Sequence, residues 1–129
     1  MAKVLVYNVT DPKKLLAIRL TLARLGVAVR EVEAGELTHP IGYLLGKDGF
    51  APGPPGAAEP FREEMLVMDG LRGESLSRFL DGLRAHGASV ALKAVATEHN
   101  LNWSSLQLCR ELKREHERMT KGKTSAHRP

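Results

Sequence analysis

Two short apolar runs, each followed by a leucine stripe at helical spacing and a closing glycine, occur one after the other in this chain of 129 residues. Residues 3–9, KVLVYNV, and 27–32, VAVREV, have the branched composition and alternation of strands. Between them Leu15, Ile18, Leu22 and Leu25 recur at steps of three and four, which places them on one face of a helix. Thr10-Asp11-Pro12 supplies an N-cap and a first-turn proline, and Gly26 is placed to end the helix. Leu16, Leu20 and Ala23 widen the apolar face, so this helix is expected to be well covered. The plan then recurs: EMLVMD at 64–69 reads as a strand, and Leu76, Phe79, Leu80 and Leu83 form a stripe closed by Gly87. VALKAVA at 90–96 is the next strand, and a last helix over about 103–119 turns Leu108, Cys109 and Leu112 inward.

A shift of 61 residues lays Val4–Val32 over Met65–Lys93 without a gap, matching Leu5 with Leu66, Leu15 with Leu76, Leu22 with Leu83 and Gly26 with Gly87. PIGYLLG, Pro40 to Gly46, then corresponds to the start of the final helix, so that each half reads β-α-β-α. The fold expected is a three-layer α/β domain over residues 1–119, with a four-stranded, mainly parallel sheet in the order 2-1-3-4. Its halves, 3–46 and 64–119, are joined by a Gly/Pro-rich linker at 47–62 that reads as a flexible joint lying away from the carboxyl edge. Residues 120–129 read as a disordered basic tail.

If all strands leave by the same end, the axis between strands one and three is a topological switch point, where open α/β sheets bind ligands. The candidate rim is Asn8 and Thr10 after strand one, Asp69 and Arg72 after strand three, and Thr97, His99, Asn100, Asn102 and Trp103 after strand four. Thr38 and His39 follow strand two, and helix N-termini there offer free N–H groups to an anion. Each residue also has an ordinary structural role: Asn102 as a cap for the last helix, Trp103 packing over its first turn, His99 as a loop anchor, Asp69 paired with Arg72.

Charge has to be located before it is interpreted. Residues 1–109 carry 12 Lys/Arg and 12 Asp/Glu, so the net charge of +4 resides wholly in residues 110–129, where helix-surface pairing accounts for much of it. This argues against nucleic-acid binding. The lone Cys109 excludes an internal disulfide and a cysteine-based zinc site, and no apolar run is long enough to span a bilayer. The chain begins directly with a strand pattern, so a cytoplasmic location is expected. Phosphate-loop, dinucleotide-binding and nucleophile-elbow motifs are all missing, and no histidine pair has zinc spacing. No catalytic residue, cofactor or metal is implied.

The run KAVATEHNLNW followed by a helix containing REHERM resembles a small bacterial family known only as a domain of unknown function, with the pattern K-A-V-x-T-x-H-N-x-N-W. Here that pattern falls on Lys93, Ala94, Val95, Thr97, His99, Asn100, Asn102 and Trp103, with Glu115 and His116 later in the helix. The resemblance covers residues 64–119 and, more weakly, the first half. It implies a domain identity and brings no activity, substrate or cofactor.

The expected function is therefore a non-catalytic module binding a polar or anionic small molecule, or a protein partner, at the carboxyl edge. The alternatives are an enzyme of unfamiliar type using His99 as general acid or base, and a homodimer formed through an edge strand or helix face.

Overall fold

The computed structural model describes residues 2–54 and 60–126, with side chains to residue 118. Strands β1 (Lys3–Tyr7), β2 (Ala28–Val32), β3 (Met65–Asp69) and β4 (Leu92–Val95) form one sheet in the order β2-β1-β3-β4. The helices are α1 (Pro12–Arg24), α2 (Ile41–Leu44), α3 (Gly73–Ala85) and α4 (Ser105–Ala126). A 3-10 turn at Ala34–Glu36 precedes α2. The central strands β1 and β3 are buried on both faces, which explains their unbroken apolar sequences, whereas β2 and β4 are half-exposed edges.

Pleat alternation divides the core in two. Val4, Val6, Leu66 and Met68 meet Ile18 and Leu22 of α1 and Phe79 and Leu83 of α3 on one face. Leu5, Tyr7, Met65 and Val67 meet Ile41 and Leu44 of α2 and Leu108 and Cys109 of α4 on the other. The three layers expected from the alternation of elements are present.

The sheet is mixed rather than uniformly parallel at its centre. β1 pairs in parallel with β2, and β3 with β4, but β1 and β3 are antiparallel, with Lys3 opposite Asp69 and Tyr7 opposite Met65. The reason is one of handedness. Since α1 and α3 pack on the same face while β2 and β4 lie on opposite flanks, the two crossovers share a hand only if β3 runs against β1. The expectation that both halves release their strands at one end is thereby overturned.

The register also corrects the gapless superposition. A shift of 61 lays Val4 on Met65, which belongs to the opposite face, because an odd shift crosses the pleat. The strands, Lys3–Tyr7 and Met65–Asp69, correspond at a shift of 62, and the helices starting at Pro12 and Gly73 at 61. The one-residue difference is taken up in the β–α turns. At those shifts Leu5 pairs with its own counterpart Val67, and Thr21 of α1 meets its own counterpart Gly82 of α3. Both are contacts on an approximate twofold axis normal to the sheet. On the far face Pro40 and Ser104, which precede α2 and α4, form a bridge.

Three further expectations change. Leu16 and Leu20 are 56% and 50% exposed, so the outer side of α1 is not covered. The helix α4 continues to Ala126, taking in residues 120–126 of the expected disordered tail, while 127–129 lie outside the described residues. The described parts of the linker pack closely on the first half. A Cβ on Gly42 would stand 2.6 Å from the Phe50 ring, and one on Gly53 would stand 2.0 Å from the Thr38 carbonyl oxygen. The linker also ends beside the exit of β1, not away from it: the Asn8 Nδ2 donates to the carbonyls of Phe61 (3.0 Å) and Glu63 (2.9 Å). Residues 55–59 of the linker lie outside the described residues.

A Cβ on Gly82 would lie 2.8 Å from the Thr21 methyl, so the α1–α3 crossing has no room for a larger side chain. Gly82→Leu is expected to lower the unfolding free energy by about 1–3 kcal/mol in urea titration, with Thr21→Ala in the same chain restoring part of it.

Candidate functional site

The motif after β4 is built around one side chain. The Ala96 N–H still donates to Met68 (2.8 Å), which turns the preceding Val95 peptide toward the open sheet edge. Asn100, only 8% exposed, closes that edge: its Nδ2 donates to the Val95 carbonyl (3.1 Å) and its Oδ1 accepts the Thr97 N–H (2.8 Å). The Asn100 N–H returns to Thr97, reaching its carbonyl at 3.2 Å and its Oγ1 at 3.3 Å. This turn presents the carbonyls of Trp103 and Leu101 to the first N–H groups of α2, from Ile41 (2.8 Å) and Gly42 (2.9 Å). Helix-start donors need partners when buried, and the second half of the chain supplies them to the first.

The remaining polar positions of the motif divide clearly. Trp103 is half-buried against the α2–α4 core, while Thr97, Glu98, His99 and Asn102 are exposed. Ser104 rather than Asn102 caps α4, its Oγ accepting the Gln107 N–H at 3.2 Å. Beneath this turn the Tyr7 hydroxyl and Ser105 Oγ pair at 2.7 Å, with Tyr7 1% exposed and Ser105 wholly buried. Burial pushes the Tyr7 phenol well above its usual range, an effect opposed by the Ser105 hydrogen bond.

The expected common rim is not assembled. Asn8 and Thr10 leave β1 at the end where β3 begins, whereas Asp69, Arg72 and the β4 exit that leads to Thr97, His99, Asn100, Asn102 and Trp103 lie at the opposite end of the sheet. Asn8 has φ 61° and spends its amide on the linker carbonyls, and Thr10 is exposed. Asp69 pairs with Lys47 at 3.2 Å rather than with Arg72, which is exposed at the start of α3. His39 is also structural: its Nδ1 accepts the Gly53 N–H at 2.9 Å, and its ring stands 4.8 Å from that of Tyr43. Thr38 donates to the Pro54 carbonyl at 3.0 Å.

Concave surfaces outside the motif include one at strand ends and one along α4. A cleft of about 400 Å³ beside the exits of β1 and β2 is lined by Val6, Asn8, Val9 and Val32 with the carboxylates of Glu31 and Glu33. Glu31 is paired with Arg19, and among the described residues no cation lines the cleft to receive an anion. A groove of about 580 Å³ runs along α4, with Phe61, Leu106 and Cys109 as apolar lining and Arg110, Lys113, Arg114 and Glu117 around it. Glu63 accepts from Lys113 at 2.7 Å, which holds the Glu63 carboxyl below its usual value and raises the Lys113 ammonium. Burial pushes the Cys109 thiol up to about 11, so it stays protonated at neutral pH and is no nucleophile. The sequence signal for this groove is modest: one aromatic, Phe61, near the end of the linker, and Leu106, Arg110 and Lys113 at helical spacing.

Among the described residues no group of three or more His, Cys, Asp or Glu is arranged to hold a metal ion, and no helix is long and apolar enough to cross a membrane. Residues 64–119 match the family model of a domain of unknown function, DUF3783. No curated protein and no solved structure matches the chain.

Asn100→Ala leaves the Thr97 N–H without a partner and is expected to cost about 1–3 kcal/mol, whereas His99→Ala, at an exposed position, should stay within about 0.5 kcal/mol of the parent in thermal unfolding. Because the folded Tyr7 holds its proton more tightly than the unfolded chain, stability should fall as pH rises above the ordinary tyrosine value of about 10. In Tyr43→Phe, which leaves Tyr7 as the sole tyrosine, phenolate absorbance should appear together with unfolding and not before it.

Proposed function

We propose that this chain is a small non-catalytic binding module that receives an acidic, apolar peptide segment of a protein partner in the groove along α4. The observation that supports this reading is the lining of that groove, an apolar floor of Phe61, Leu106 and Cys109 beside three cationic side chains. Lys113 and Arg114 already have partners in Glu63 and Glu111, while Arg110 has no ion pair among the described residues. A small anion gains little from exposed cations, since water and salt screen them beyond roughly 8–10 Å. An apolar side chain seated on the floor adds about 25 cal/mol for each Å² it removes from water, which favours a peptide over a free ion.

The other readings have less support. His99 is exposed on the turn after β4 and lines neither of the two concave surfaces described above. Self-association through β4 meets an edge already occupied by the Asn100 amide and by Lys93, whose Nζ donates to the Val90 carbonyl at 2.6 Å. The like-positioned contacts across the approximate twofold axis favour reading the halves as an internal repeat. A single buried cysteine and the resemblance of the motif fit a bacterial, cytoplasmic protein.

The test is fluorescence anisotropy with a labelled peptide of alternating acidic and large apolar residues, against a matched basic peptide. The acidic peptide should bind, and Arg110→Glu with Arg114→Glu should weaken it about tenfold or more, ~1.4 kcal/mol. Equal binding of both peptides, or no binding of the acidic one, would sink the proposal.

A further inference from the structure

The helix α1 turns Ile18, Thr21 and Leu22 into the core, and the opposite side carries Lys13, Leu16, Leu20 and Arg24 in one row. Steps of three and four keep these residues in line along the axis. Leu16 and Leu20 are two of the three large apolar side chains that are strongly exposed among the described residues, and they lie side by side. Ala17 and His86 complete a shallow trough of about 200 Å³ with them. The helix has no acidic residue: of its four cations, Lys14 pairs with Glu64 and Arg19 with Glu31, which leaves Lys13 and Arg24 at the two ends of the leucine row.

We infer that this row docks an acidic amphipathic helix of a partner protein, a surface separate from the α4 groove. Two leucines offer an apolar seat, and a cation beyond each end selects a helix with carboxylates flanking its own apolar pair. A second copy using the same row is disfavoured by its charges. Antiparallel pairing sets Lys13 against Arg24, and parallel pairing sets like residues together, so either arrangement brings cations face to face. A lipid surface is also a poorer fit. The row lacks the aromatic anchors that seat a helix at a membrane interface.

The test uses the full chain and a fluorescein-labelled amphipathic peptide with two leucines spaced as Leu16 and Leu20 are and glutamates beyond each. Wild type should bind it, and Leu16→Ser with Leu20→Ser should weaken binding at least tenfold while leaving the circular dichroism spectrum unchanged. Lys13→Glu with Arg24→Glu should lose this peptide and gain the lysine-flanked counterpart, and losses in both double variants would assign the site to α1 rather than to the α4 groove. Failure of wild type to bind, or indifference to the charge exchange, would overturn the inference. So would phosphatidylserine vesicle binding that depends on Leu16 and Leu20, or a dimer in sedimentation that dissociates when they are replaced.

Discussion

The antiparallel junction between β1 and β3 is the constraint on which the remaining architecture depends. With α1 and α3 on one face, two crossovers of the same hand can flank the central strands only when those strands oppose each other. From this follow the twofold relation of the halves and the contacts on its axis, Thr21 with Gly82 in one helix layer and Leu5 with Val67 in the sheet. It also follows that strand exits are divided between two ends. A pocket of the kind formed where parallel strands diverge has no counterpart at this axis, because one strand leaves where its neighbour enters.

The halves are joined through the far face as much as through the sheet. The α2 helix has four residues, too few to hold itself without external partners. Its first N–H groups are taken by the Trp103 and Leu101 carbonyls, and its outer side is met by Phe50. Asn100 shapes the turn that presents those carbonyls, and the Tyr7–Ser105 pair anchors the following helix over β1. The polar density of TEHNLNW is thus spent largely on joining one half to the other. Buried polar groups are costly unless partnered, and those inside this turn have partners.

The recognition surfaces proposed above lie on helices rather than at strand ends. The α4 groove and the α1 row each combine apolar atoms with cations. These proposals place binding where the packing left apolar surface uncovered.

Much of the architecture was legible in the residues themselves. The branched runs at 3–9 and 64–69 with helix-period stripes after them specified strands, helices, layers and the order of the sheet, because periodicity records which face of an element is buried. The resemblance to a domain of unknown function is borne out by the family model over residues 64–119. The direction of β3 relative to β1 was not legible, since an apolar strand buried on both sides reads alike whichever way it runs, and nothing local says which face α3 will cover. Nor did the spacing of Leu16 and Leu20 distinguish a covered side of α1 from a bare one. Sequence by itself determined the elements and their inner faces, through short-range spacing. Tertiary structure alone decided which ends meet and which side chains remain exposed, because those depend on handedness and on contacts between residues far apart in the chain.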